Sequence, residues 1–241
     1  MNDTTADDSA SGSPDAEPQT LAAYVMICLA LGVMLVALFW PAGTIDWRRG
    51  WLFYSLFVVC IFFGVGKIKR DNPELLTVRR KFQAGTKGWD LILAPLTILG
   101  FASILPFAAL DDARFHWAPQ SVWVQLAGYA LFCAGFAGTT WAQSVNRFFE
   151  ASVRIQTDRG HTVVETGPYA WIRHPGYAFA IVMCVGMALS LGSLVALIPV
   201  AVMAIVLAIR TLAEDGLLKR DLAGYSDYAA RVKHRWIPGV W

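Results

Sequence analysis

The segment 146–177 holds much of what could do chemistry in this chain: Asn146, Gln156, His161, Tyr169, Arg173, His174 and Tyr177. His174 precedes Pro175, whose fixed φ and missing N–H suit the first turn of a helix. His174 therefore stands at the mouth of a helix, where free backbone N–H groups suit an anionic or polar ligand group. A helix-cap role accounts for it equally well. Further on, Arg210 and Glu214 lie four apart and share one helix face. A planar guanidinium suits a carboxylate, yet an ordinary i,i+4 pair fits the same spacing. Tyr169, Trp171, Tyr177 and Trp241 taken singly read more readily as membrane-interface anchors than as ligand contacts. The four histidines show no His-x-x-x-His pairing and the four cysteines no Cys-x-x-Cys, so no metal site is expected.

These residues need elements to hold them. Ser152–Gln156 and His161–Glu165 have β-propensity and flank a turn, Thr157-Asp158-Arg159-Gly160, which predicts a small extended hairpin on the membrane surface. Thr166-Gly167-Pro168 is a second turn. The rest of the chain is apolar. Of 241 residues 56% are hydrophobic and 16% charged, against about 25% charged in soluble chains. Cys28, Cys60, Cys133 and Cys184 sit singly in apolar runs and read as core or lipid-facing residues. A net charge of +2 without a basic run gives nucleic acid nothing to bind.

An apolar helix needs about 20 residues to cross the hydrocarbon. Leu21–Trp40, Gly50–Gly66, Leu91–Leu110 and Val122–Trp141 supply four spans. Gly176–Ile209, broken at Ser190-Leu191-Gly192-Ser193 and at Pro199, reads as a helical hairpin. The expected fold is an all-α integral membrane protein of six spans, or five if the last pair is re-entrant, with an amphipathic stretch Asp215–Val232 near the C-terminus. Residues 1–20 form an acidic tail whose composition predicts disorder. The first basic residue is Arg48, so Leu21–Trp40 reads as a retained span and not as a secretory signal. Domain organisation follows: the tail, four spans over 21–141 with a linker at 67–90, and the region 142–241 that carries the site.

Six spans put the tail, the 67–90 linker, the 142–175 segment and the C-terminus on one side. That side holds every Lys and Arg except Arg48, Arg49 and Arg114, which makes it the cytoplasmic side. The candidate chemistry is then all cytoplasmic. The linker Lys67–Lys87 reads as a headgroup-facing helix, and Gly85-Thr86-Lys87-Gly88 is too little of a phosphate loop to count.

Taken in order, Gly167-Pro168-Tyr169-x-x-x-Arg173-His174-Pro175-x-Tyr177, a helical hairpin, Arg210-x-x-x-Glu214, the tyrosines Tyr225 and Tyr228 after Gly224, and a terminal Ile237-Pro238 resemble the isoprenylcysteine carboxyl methyltransferase family. The resemblance covers roughly 146–241. It implies S-adenosylmethionine as cofactor, a lipophilic isoprenoid acid as acceptor, and a site at the cytoplasmic end of the last helices. By the same resemblance Gln156, His161, Thr162, Val163, Val164, Tyr169, His174, Pro175, Gly176, Tyr177 and Glu214 bind the cofactor. It assigns Arg210 to the substrate carboxylate and makes Arg210 and Glu214 the candidate catalytic pair. The turn after Gln156 is shorter than in the eukaryotic enzymes of the family.

Such a reaction needs no general base, because a carboxylate is already ionised at neutral pH. A sulfonium and a carboxylate neutralise each other as the methyl moves, so a dry pocket does not oppose the step. Related membrane methyltransferases of lipid amines share the Arg-His-Pro-x-Tyr region, and membrane sterol reductases using NADPH have a similar C-terminal half. A lipid amine would have no use for Arg210, and no basic cluster for a 2′-phosphate is evident. A structural protein with a degenerate site is the non-enzymatic reading, against which the intact motif set argues.

Overall fold

The computed structural model describes residues 16–78 and 85–241. Among the described residues the chain forms α1 (Ala16–Ala42), α2 (Arg48–Asp71), α3 (Leu75–Val78), α4 (Asp90–Ala108), α5 (Val122–Val145), α6 (Pro175–Ser190), α7 (Leu197–Asp221) and α8 (Tyr225–Arg231). Of the acidic tail expected over 1–20, residues 1–15 lie outside the described residues, and 16–20 belong to α1. Within the 67–90 linker, residues 79–84 likewise lie outside them.

Among the described residues five helices are long and apolar enough to cross a membrane: α1, α2, α4 with its π-helical continuation Ala109–Phe115, α5 and α7. Their outward faces carry large apolar side chains such as Phe62, Phe63, Leu99 and Ile205, as a bilayer requires. The chain is a multi-pass integral membrane protein. The expected helical hairpin is present as α6 and α7, joined at Leu191–Ala196 with Gly192 at φ 80°. α6 has 16 residues, about 24 Å at 1.5 Å per residue, short of about 30 Å of hydrocarbon.

Small residues set the tightest packing. A Cβ on Gly128 or Gly135 of α5 would overlap the backbone of α6 at Ser190 and Met183, and one on Gly186 would overlap Phe132. Membrane helices associate through such close approach, since lipid gives no hydrophobic drive between them. α4 packs on α7, with Gly100 against Met203.

Polar contacts mark the two ends of the bundle. At one end Arg49 pairs with Asp112, Trp47 Nε1 donates to Asp112 at 2.8 Å, and Ser193 Oγ donates to the buried Asp111 at 2.6 Å. The α6–α7 turn is thereby fixed beside the ends of α2 and α4. At the opposite end Asn72 Nδ2 donates to the carbonyls of Gln143 and Asn146 at 2.8 and 3.0 Å. α6 therefore runs from this second end to the first, as a sixth helix of the bundle.

The extended hairpin is a correction. Among the described residues there is no strand, and 152–156 and 161–165 make no ladder. Their backbone groups go elsewhere: Val153 N–H donates to the Asp90 carboxylate at 2.7 Å, and the Val153 carbonyl accepts from Lys87 N at 3.2 Å. The expected turn is there, as a 3₁₀ turn Thr157–Arg159 closed by Gly160 at φ 61°. The amphipathic stretch 215–232 is two pieces, the end of α7 and α8, broken at Gly224, whose φ of 80° an L side chain rarely adopts.

Candidate active site

A cavity of about 850 Å³, counting its open mouth, lies at the second end of the bundle. Its walls are the 146–164 loop, Tyr169, the start of α6, the last turns of α7, and Tyr225 and Tyr228. The loop is stiffened from within. Arg154 holds Glu150 through two bonds of 2.9 Å and Asp158 at 2.6 Å. Asn146 donates to the Tyr169 hydroxyl at 3.1 Å and accepts from Phe148 N at 2.9 Å.

Of the residues assigned to a cofactor, Gln156, His161, Thr162, Val163, Val164, Tyr169, His174, Gly176, Tyr177 and Glu214 all line this cavity. Pro175 does not; it is buried as the first residue of α6. Arg210 does not line it either. Gln156 is buried, with its amide spent on the loop itself: Nε2 donates to the Phe148 carbonyl and Oε1 accepts from Arg159, both at 2.7 Å. It shapes the wall and offers little to a ligand.

The mouth of α6 differs from expectation. The Arg173 and His174 N–H groups are not free; they donate to the carbonyls of His234 and Arg235, each at 2.9 Å. Arg173 Nη1 also bonds the carbonyls of Val232 and Lys233. The C-terminal segment thus takes the N–H groups of the cap and of the residue before it, and both the His174 side chain and Gly176 of the first helical turn line the cavity. His174 Nδ1 lies 4.0 Å from Glu214, and its buried Nε2, without a hydrogen bond, lies 3.5 Å from Asp215.

Arg210 and Glu214 do not pair with each other, so the plain i,i+4 reading fails. The Tyr177 hydroxyl donates to Glu214 Oε2 at 2.7 Å. Arg210, 6% exposed, donates from Nε and Nη2 to Asp90 at 2.7 and 3.0 Å and from Nη2 to the Ala151 carbonyl at 2.7 Å. Its guanidinium lies 5.6 Å from the centre of the Tyr177 ring, which places it beside the cavity wall.

Two carboxylates went unnoticed in the sequence. Asp90 is one. Asp215 is the other: it takes Arg173 at 2.8 and 3.1 Å, the Tyr225 hydroxyl at 2.9 Å, Lys219 at 3.2 Å and Arg235 at 3.3 Å. The signal for it was Arg173, since a buried guanidinium requires a buried acid.

Burial, then the charges of Arg154 and Arg159, lower the His161 pKa to about 4, so the imidazole is neutral at pH 7. Burial likewise holds the Tyr169 phenol well above its ordinary value. Acceptors and apolar surface dominate what a ligand would meet. Glu214 Oε1 has no partner among the described residues, and Ser152 Oγ is buried and unpartnered on the cavity wall. Phe148, Phe149, Val153, Val163, Leu218 and Leu222 supply apolar area. That combination fits a ligand with a cationic centre and a flat apolar body. Among the described residues no group of His, Cys, Asp and Glu could hold a metal ion.

Residues 122–220 match the model of the isoprenylcysteine carboxyl methyltransferase (ICMT) family. A search of curated proteins finds no match. The family match spans α5, the cavity loop, α6 and nearly all of α7, where the motifs had carried the resemblance.

Proposed function

We propose that this membrane protein, with the ICMT family region over residues 122–220, moves a methyl group from S-adenosylmethionine to the carboxylate of an isoprenylcysteine or similar lipophilic acid, on the cytoplasmic side. The observation that carries this is the convergence of motif residues from three separated segments on one cavity, with Glu214 on its wall and Arg210 beside it.

The donor, when bound, supplies an electrophilic methyl: one carboxylate oxygen forms the new O–C bond while the C–S bond breaks and leaves its electron pair on sulfur. No proton moves. The chain's part is binding and alignment, worth up to about 7–11 kcal/mol in favourable systems. Glu214 offers a carboxylate to the cationic centre, with Tyr177 fixing its orientation. Ser152 Oγ and His174 Nε2 are buried polar atoms beside the cavity that the fold leaves without a hydrogen bond. Arg210, beside the cavity wall with its guanidinium 5.6 Å from the Tyr177 ring, would orient the acceptor carboxylate. Arg48, Arg49 and Arg114 lie toward the far end of the bundle, and the positive-inside rule supports a cytoplasmic site.

One observation favours a second reading, methylation of a lipid amine: the positive charge of Arg210 is already balanced by Asp90. Reduction by NADPH is disfavoured, since Arg154 and Arg173 at the cavity are both committed to carboxylates and spare no charge for a 2′-phosphate.

The deciding experiment is binding to the purified protein. Ligands that bind only the native state raise its thermal midpoint. S-adenosylmethionine should raise it and NADPH should not; the reverse would reject the proposal.

A further inference from the structure

Asp90 is the first residue of α4, in the part of the chain outside the family match, and its side chain is completely buried. A helix N-terminus favours a carboxylate there. Its two oxygens do three things. Oδ1 accepts from Arg210 Nε; Oδ2 accepts from Arg210 Nη2 and from Val153 N–H at 2.7 Å. Nη2 gives its other hydrogen to the Ala151 carbonyl. The edge of the guanidinium formed by Nε and Nη2 is therefore fully taken. Nη1 is left, with no acceptor among the described residues.

We propose that Asp90 is a positioning residue that decides how Arg210 meets the acceptor: by occupying the Nε–Nη2 edge it limits the acceptor carboxylate to Nη1. This rests on the reading of Arg210 as the acceptor contact. The consequence is chemical. A guanidinium free to use two N–H groups would hold both carboxylate oxygens, and so strong a ground-state contact would weaken the nucleophile without helping the transition state. A contact through Nη1 orients one oxygen and leaves the other free to form the O–C bond. The same aspartate fixes Val153 on the cavity wall, so the acceptor contact and the donor cavity share one anchor.

A merely structural ion pair and a positioning pair differ in kinetics. The assay uses the full chain in nanodiscs with S-adenosylmethionine and an S-farnesylcysteine derivative bearing a free carboxylate, with kcat expressed per cofactor-binding site counted by calorimetry. Asp90→Asn should lower kcat per site tenfold or more while KM for the acceptor stays level or falls. Asp90→Glu, which keeps the charge, should restore much of kcat. If Asp90→Asn leaves both kcat per site and KM unchanged, or raises KM alone, while Arg210→Gln is crippled, the positioning role is wrong and the acceptor contact stands. If Arg210→Gln keeps its full kcat/KM, the acceptor contact itself is wrong. Should Asp90→Asn yield no folded protein, ¹⁵N NMR of the wild-type arginine side chains decides. A non-reactive carboxylate analogue should shift Arg210 Nη1 and leave Nε in place; a shift at Nε would mean that Asp90 is displaced and would overturn the proposal.

Discussion

Tyr177, in the first turn of α6, donates its hydroxyl at 2.7 Å to Glu214 of α7, 37 residues away, and the two form one wall of the cavity. The tyrosine aims a carboxylate that would otherwise rotate freely at a helix surface.

Glu214→Gln should therefore weaken S-adenosylmethionine binding before it affects the acceptor. Hydrogen bonds to charged groups contribute about 1.5–3 kcal/mol, so a loss of roughly ten- to a hundredfold or more in affinity is expected by calorimetry. Tyr177→Phe should show a smaller loss in the same direction. An unchanged affinity in Glu214→Gln would remove Glu214 from the donor site.

Asp215 should matter for folding more than for ligands. Its carboxylate and the Arg173 guanidinium are both nearly inaccessible, at 2% and 3% side-chain exposure, and breaking one partner of a buried pair costs about 3–5 kcal/mol. Asp215→Asn should lower the thermal midpoint in detergent well beyond Glu214→Gln. Equal midpoints for the two variants would mean that the cluster around Arg173 holds nothing together.

His161 gives the stability a pH dependence. Its folded pKa, about 4, lies below the ordinary 6.5 because burial and two arginines oppose the charged form. Between these values the unfolded chain binds the proton and the folded chain does not. The stability His161 confers is thus complete above about 6.5 and is lost as the pH falls toward 4. Thermal midpoints measured across that window should slope less in His161→Gln than in the wild type; parallel slopes would exclude the histidine.

What could be read from the sequence was what is local. Apolar runs announced the helices, and Ser190–Ser193 announced the hairpin turn, because hydrophobic length and turn chemistry are properties of contiguous residues. The cavity residues from His161 to Tyr177 were assigned through the family resemblance, whose motifs are contiguous there. Asp90 was not: its partner Arg210 lies 120 positions away, and an acid at the start of a span reads as an ordinary helix terminus. Asp215, beside Glu214, looked like one more solvated charge. The hairpin expected at 152–165 failed because Lys87 and Asp90 claim the backbone of Val153. At the mouth of α6 the carbonyls of His234 and Arg235 take the Arg173 and His174 N–H groups, a contact the local sequence does not announce. In both places a contact from a distant segment decides what the local sequence leaves open.

Arg210→Ala should leave S-adenosylmethionine binding intact and reduce kcat/KM for a carboxylate acceptor. Loss of a contact of about 1.5–3 kcal/mol corresponds to roughly ten- to more than a hundredfold. Because the substitution also leaves Asp90 buried and unpaired, its thermal midpoint should fall as well. Arg210→Lys should recover only part of the activity, since an ammonium cannot reproduce the planar fork.

The central claim is tested most directly by following a labelled methyl group. The purified protein in nanodiscs, given S-adenosylmethionine labelled in its methyl group and an S-farnesylcysteine derivative with a free carboxylate, should place the label in a base-labile methyl ester. Label on the amine headgroups of the nanodisc lipid, with no ester formed, would contradict carboxyl methylation and make the lipid amine the acceptor.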